Sequence, residues 1–127
     1  KKEIGTAIPS NNNTYAVKGR DLRSGTPKEV NITEEDTAEA LSGILKEMVN
    51  GIKDALENTP PELSADLVDM GLTLTGGGAL LKNIDKRFSK ETGLPVYIAD
   101  DPLACVAIGT GIALDQEETF STMLSEY

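Results

Sequence analysis

The sequence has 127 residues, of which 39% are hydrophobic and 26% charged, and its formal net charge is −9. The length suits one ordinary domain with a real core, and the composition is that of a folded soluble protein. A negative surface disfavours nucleic acids, whose phosphates are attracted to Lys and Arg, so no nucleic-acid partner is expected. The absence of histidine excludes His-based triads and His-ligated zinc within the sequence. The single cysteine, Cys105, cannot form an internal disulfide, which favours a reducing, cytoplasmic compartment.

The amino-terminal stretch predicts the end of a helix, a loop and a hairpin. Lys1–Ile4 resembles a last helical turn, and the absence of an initial Met leads us to expect part of a longer protein. Gly5–Asn13 is rich in Gly, Pro, Ser and Asn, which is typical of a loop. Thr14–Lys18 and Lys28–Ile32 are short β-favourable stretches, and they predict a hairpin with a long connection. No apolar run approaches the roughly 20 residues that cross a bilayer.

The strongest helix signal follows directly. Thr33 with Asp36 approximates a capping box, and acidic residues in the first turn suit the helix dipole. Pro60–Pro61 stops the pattern. One apolar stripe recurs at steps of three and four, and it predicts a buried helix face: Leu41, Ile44, Leu45, Met48, Ile52, Ala55 and Leu56.

The second half alternates between helix and strand patterns. This alternation predicts an α/β unit with parallel strand pairing. Asp101 is expected to cap the last helix, with Pro102 at its first position. Met48, Met70 and Cys105 are interpreted as core residues. The predicted elements are a helix over Glu62–Met70, a strand over Leu72–Thr75, a helix over Ala79–Thr92, a strand over Pro95–Ala99 and a helix from Pro102 to Leu114.

The glycine run Gly76–Gly78 between a strand and a helix is the element that carries chemistry. Without a Cβ, the backbone can come into contact with a ligand, and free N–H groups at a helix start favour an anion. No Lys-Ser or Lys-Thr follows the glycines and they are adjacent, so this is neither a Walker-type phosphate loop nor a dinucleotide fingerprint. Taken alone, the triplet is equally compatible with a structural tight turn.

The surrounding sequence is more specific. The string LTLTGGGALLKN from Leu72 to Asn83 resembles the adenosine motif of the actin, heat-shock chaperone and sugar-kinase superfamily, and it is closest in form to the version in the MreB family of bacterial actins. Other stretches resemble the same family in order and spacing: Lys1–Gly5, Pro60–Leu63, and Asp101–Ala107 with Gly109 and Gly111.

The resemblance implies an α/β fold, namely a partial actin-like (ribonuclease H-like) ATPase domain with the remnant of a smaller inserted α+β subdomain. It implies three segments. Residues 1–31 would end the inserted subdomain, residues 32–115 would form the nucleotide-holding α/β subdomain, and residues 116–127 would return to a missing first domain. Gly109 and Gly111 would either absorb domain closure or allow close helix packing.

The resemblance also implies a nucleotide site. Gly77, Gly78, Ala79 and Leu80 occupy its nucleotide-contact positions, Gly76 makes the turn, and Lys1 matches a lysine that reaches the nucleoside. The cofactor would be ATP or ADP with Mg²⁺. The phosphate-binding hairpins, the Mg²⁺-associated acidic residues and the membrane-binding segment of the family would lie upstream. We therefore expect no catalytic or metal-binding residue here, and no ATP hydrolysis by this piece alone.

The parent protein would be a filament-forming ATPase that associates with the inner membrane and with the wall-elongation machinery to maintain rod shape. Two alternatives stay open at this point. One is a chaperone- or sugar-kinase-like member of the same superfamily. The other is a non-enzymatic interaction module in which the glycine turn is purely structural.

Overall fold

The computed structural model describes residues 2–124, which form a hairpin followed by an α/β unit. Two separate two-stranded sheets are present in this range. The elements in chain order are β1 (Thr14–Arg20), β2 (Pro27–Thr33), α1 (Glu34–Glu57), α2 (Pro61–Met70), β3 (Leu72–Leu74), a 3-10 turn (Gly77–Leu80), α3 (Ile84–Thr92), β4 (Val96–Ile98), α4 (Cys105–Asp115) and α5 (Glu117–Leu124).

The predicted hairpin is confirmed. Strands β1 and β2 pair antiparallel in a register that places Val17 opposite Val30. Their connection closes with a bond of 2.7 Å from the Gly25 N–H to the Asp21 carbonyl, and Gly25 has a φ of 70°, which glycine adopts without strain. β2 then runs without a break into helix α1.

Helix α1 begins with the capping box that the sequence predicts. The Thr33 N–H donates to Asp36 Oδ2 at 2.9 Å, and the Asp36 N–H donates to Thr33 Oγ1 at 3.2 Å. The shorter Asp side chain therefore completes the motif in which Glu is more usual.

The buried stripe of α1 is confirmed in part. Leu45 is buried as predicted, and so is Val49, which completes the same face. Ile44 and Met48 are instead 55% and 49% exposed, and Met70 is 76% exposed, so the expectation that both methionines lie in the core is wrong. The reason is that, among the described residues, only one layer packs against α1. That layer covers a narrower stripe of the helix surface than the apolar pattern of the sequence predicts.

The core lies between α1, α3 and the β3–β4 sheet. Strands β3 and β4 are parallel, as predicted, with Thr73 opposite Tyr97. Partly buried side chains from the sheet, including Leu74 and Val96, pack against this core. Its buried members are Ala7, Leu45, Val49, Ile84 and Phe88.

Helix α3 starts later than the predicted Ala79. A single 3-10 turn covers Gly77–Leu80, and the α-helix begins only at Ile84. Residues 81–83 between them are not helical, because the Ala7 N–H donates to the Lys82 carbonyl at 2.8 Å. The amino-terminal segment thus takes an acceptor that a continuous helix would have used.

Helix α4 also starts later than predicted. It begins at Cys105, while Asp101–Ala104 form a turn in which Asp101 Oδ1 accepts from the Ala104 N–H at 3.3 Å. The cap is therefore present, but on a turn. The Pro102 carbonyl accepts from the distant Gly76 N–H at 2.6 Å, a contact that competes with helical hydrogen bonding at this position.

Helix α4 is apolar around its whole circumference and has no buried residue. Val106, Ile112 and Leu114 are 66%, 50% and 61% exposed. Cys105 is half-buried rather than part of the core. Within residues 2–124, no helix is both long and apolar enough to span a bilayer.

Candidate functional site

The glycine turn leaves the carboxyl end of β3, where the parallel sheet fixes its starting point. At the other end of that strand, Gly71 has a φ of 73°, and a Cβ built there would lie 2.4 Å from the Pro95 carbonyl oxygen. The adjacent Leu72 N–H donates to the same carbonyl at 2.8 Å. Glycine is therefore needed at position 71, because the chain passes close to Pro95 there, and this contact fixes the position of the turn that follows β3.

Gly76 forms the corner of the turn. Its φ of 82° lies in the left-handed region that favours glycine. Its N–H is held at 2.6 Å by the carbonyl of Pro102, a buried residue. The loop after β4 thus buttresses the turn after β3, a contact that nothing in the local sequence pattern indicates.

The next two amides are free. Gly77 and Gly78 are exposed, and no acceptor for their N–H groups exists among residues 2–124. Apart from the neighbouring backbone, no atom of the described residues lies within 4 Å of a Cβ at Gly78, and a Cβ at Gly77 would meet Leu103 Cδ2 at 3.5 Å, an ordinary contact. Neither residue has a positive φ. The fold of this chain does not itself require glycine at these two positions.

The other predicted contact residues have mixed positions. Leu80 is 58% exposed at the end of the 3-10 turn, whereas the Ala79 side chain is only 3% exposed. Ala79 can therefore offer a ligand little beyond its backbone. Lys1 lies outside the described residues. Because Gly77 and Gly78 begin only a single 3-10 turn, the free amides rather than a long helix dipole make the site favourable for an anion or hydroxyl.

A second polar cluster was missed from the sequence, where Glu34 counted only as a favourable charge for the helix dipole. The residue is buried, with 2% of its surface exposed. It accepts bonds from the Ser10 N–H at 2.9 Å, the Asn11 N–H at 3.0 Å and Asn13 Nδ2 at 3.0 Å. These backbone amides, joined by Asn13 and the charge of Lys82, lower the pKa of Glu34 below its ordinary value.

Asn83 also binds the loop that precedes the hairpin, and we call the contacts of Glu34 and Asn83 with this loop the joint. Its backbone is left-handed, with a φ of 61°, and its Nδ2 donates to the Ile8 carbonyl at 2.9 Å and to Thr6 Oγ1 at 3.2 Å. Thr6 is fully buried. Glu34 and Asn83 together fasten the loop that leads into the hairpin, and they contribute nothing to the glycine turn.

The chemistry of the glycine turn is that of exposed backbone donors. Exposed backbone N–H groups suit the oxygens of a phosphate or a sugar. In the described part of the chain, no three His, Cys, Asp or Glu side chains stand close enough together to hold a metal ion.

Known structures share this architecture. Over 99% of this chain and 38% of the other, MreB5 of Spiroplasma citri bound to ADP superimposes with a TM-score of 0.84 and 38% sequence identity. The same protein bound to AMPPNP gives a TM-score of 0.82 and 40% identity, over 97% of this chain and 36% of the other. The fold is therefore that of a partial actin-like domain.

Sequence comparison gives the family. The MreB/Mbl protein family matches residues 1–122. Over 91% of this chain, the cell shape-determining proteins Mbl of Bacillus subtilis and MreB of Escherichia coli K12 are 41% and 45% identical to it, covering 35% and 33% of their own lengths. The chain belongs to the MreB/Mbl protein family, and it spans about a third of the length of these relatives. This assignment favours the first of the three interpretations of the sequence.

Proposed function

We propose that this chain supplies the adenosine-side wall of the nucleotide cleft in an ATP-binding, filament-forming bacterial actin. The supporting observation is the pair Gly77 and Gly78, which are exposed; among residues 2–124 their amides have no acceptor and their lack of a Cβ serves no contact. A ligand that approaches the backbone gives these glycines a purpose. The solved relatives bound to ADP and AMPPNP support the nature of that ligand.

This chain and the rest of the polypeptide would supply different parts of the nucleotide site. Residues 32–115 would hold the nucleoside, residues 1–31 would end a small inserted subdomain, and residues 116–127 would return toward the first domain. The phosphate-handling groups and the ligands of Mg²⁺ would come from the rest of a polypeptide of the relatives' length. ATP hydrolysis would then be a property of the whole protein.

The exposed helix α4 supports a two-domain parent. Helix α4 is mostly apolar and has no buried residue, and such a helix is expected to be covered by another protein surface in the intact protein. Beyond the backbone of α4 itself, no atom of the described residues lies within 4 Å of a Cβ built at Gly109 or Gly111, so close packing at these glycines has no partner in that range. Covered by the first domain, α4 would lie at the hinge of the cleft.

At the level of the cell, the parent would polymerise in the cytoplasm beneath the inner membrane and organise wall synthesis to maintain rod shape. The names of the relatives, cell shape-determining proteins, support this role. Nucleotide-dependent pelleting of the intact protein tests the filament: sedimentation with ATP is expected. A protein that never sediments with ATP, at any salt or protein concentration, would contradict it.

The nucleotide site is tested by adding side chains to Gly78 in the intact protein. Gly78→Val should weaken ADP binding on the order of tenfold or more, since each factor of ten corresponds to about 1.4 kcal/mol of lost contact. Stability should change little, because the space at Gly78 is open. Isothermal titration with ADP and urea unfolding measure the two effects.

The matched control is Gly43→Val, which adds the same side chain at an exposed glycine of α1 with open space around it. It should leave ADP binding unchanged. Wild-type affinity in Gly78→Val, or an equal loss in both variants, would rule out the glycine turn as a nucleotide wall.

A further inference from the structure

One exposed leucine stands beside the free amides of the glycine turn. Leu103 is 67% exposed, and its Cδ2 would lie 3.5 Å from a Cβ at Gly77. Its neighbour Pro102 is buried. The chain thus presents an apolar side chain to solvent next to two unpaired N–H groups, at a point where the backbone is well anchored.

The anchoring fixes Leu103 relative to the turn. The Pro102 carbonyl accepts from the Gly76 N–H at 2.6 Å and from Cys105 Sγ at 3.5 Å. Asp101 caps the same turn through its side chain and its carbonyl. The Leu103 side chain and the free amides therefore form one preorganised surface, with an apolar part and a donor part.

We propose that Leu103 is a nucleoside-contact residue of the nucleotide site, and that its side chain packs against the nucleoside moiety. The inference rests on the proposed function. Ligand sites combine apolar contact area with a few well-placed polar groups, and a nucleotide has the matching composition, with an apolar ring face joined to hydroxyl and phosphate oxygens. In this arrangement Gly77 and Gly78 meet oxygens, and Leu103 covers the ring or sugar face.

The experiment measures binding of ADP and of pyrophosphate to the intact protein and to Leu103→Ala. The variant should bind ADP about tenfold more weakly, as expected for lost apolar contact in a pocket. Binding of pyrophosphate, which has no nucleoside, should not change. Leu103→Met, which conserves volume and apolar character, should restore ADP affinity to within about twofold of wild type.

Two controls separate contact from structure. Leu63→Ala removes the same atoms from a leucine of α2 that is 56% exposed, and it should bind ADP as wild type does. Hydrogen exchange of the Gly76 amide should be unchanged in Leu103→Ala, because the bond to the Pro102 carbonyl is made by the backbone.

Three results would overturn the inference. Unchanged ADP affinity in Leu103→Ala would show that Leu103 does not touch the nucleoside, while the glycine wall would stand. An equal loss of ADP and pyrophosphate binding, with faster exchange at Gly76, would show that Leu103 only supports the turn. Absence of ADP binding in the wild-type protein would contradict the proposed function itself, and this inference with it.

Discussion

Two connecting segments of this chain are fixed in opposite ways. The loop before the hairpin is held by side chains, because Glu34 and Asn83 reach out to its backbone. The glycine turn after β3 is held by backbone alone, through the Gly76–Pro102 bond and the close strand contact at Gly71. The loop before the hairpin therefore depends on the side chains of Glu34 and Asn83. The glycine turn depends on the lack of a side chain at Gly71.

The difference has a practical consequence. The loop before the hairpin should lose stability when the Glu34 or Asn83 side chain is shortened, whereas the glycine turn should lose stability when a Cβ is added at Gly71. A ligand wall benefits from the second design, since bare backbone leaves room and donors for the ligand. A joint that only has to hold two parts together benefits from the first, because charged acceptors make the stronger hydrogen bonds.

The largest effect should come from adding one methyl group at Gly71. Gly71→Ala places a Cβ 2.4 Å from the Pro95 carbonyl oxygen at a positive φ, and we expect a loss of about 3–5 kcal/mol in the free energy of unfolding. Urea unfolding measures it. Gly43→Ala, in an exposed turn of α1 with open space, should instead gain about 0.5–1 kcal/mol. Similar effects in both variants would refute the role of the strand contact.

Removing the charge of Glu34 should break the other segment. Glu34→Gln should lower stability at neutral pH, because the amides of Ser10 and Asn11 lose a charged acceptor. Hydrogen exchange at those two amides should accelerate. Glu35→Gln removes the same charge from an exposed position on the same helical turn, and it should leave that exchange unchanged.

The pH dependence of stability gives a second test of the role of Glu34. The Ser10 and Asn11 amides hold the pKa of Glu34 below its ordinary value of 4.5. A carboxylate with a lowered native pKa contributes stability that is fully present above its unfolded pKa and is lost as the pH falls through the native pKa. The stability gap between wild type and Glu34→Gln should therefore persist at pH 7 and close below about pH 4.5. A gap that does not depend on pH would contradict the charge-based joint.

The same contrast explains what could be predicted from sequence. The hairpin, helix α1 and the parallel pairing follow from local patterns, and the glycine motif locates the candidate site. The starts of α3 and α4 could not be predicted, because bonds from Ala7 to Lys82 and from Gly76 to Pro102 join distant parts of the chain. The burial of Glu34 could not be predicted for the same reason. Its hydrogen-bond partners precede the hairpin, and no periodicity in the sequence links them to α1.

Asn83 tests whether the side chain or the left-handed backbone matters more at the joint. Asn83→Gly keeps the backbone geometry but loses the bonds to Ile8 and Thr6, and it should cost about 1–2 kcal/mol. Asn83→Ala should cost roughly a further 1 kcal/mol, because alanine resists a positive φ. Equal stability of the two variants would mean that backbone strain plays no part there.

The smallest effect should come from the cap between β2 and α1. Thr33→Ala removes the oxygen that accepts from the Asp36 N–H at 3.2 Å, and we expect a loss of about 1 kcal/mol. The loss is limited because this bond is exposed and water can replace the lost acceptor. Thr33→Ser keeps the oxygen and should retain most of the stability. If Thr33→Ala matched Glu34→Gln in its effect on Ser10 and Asn11 exchange, the joint would depend on the helix start as a whole and not on the buried carboxylate.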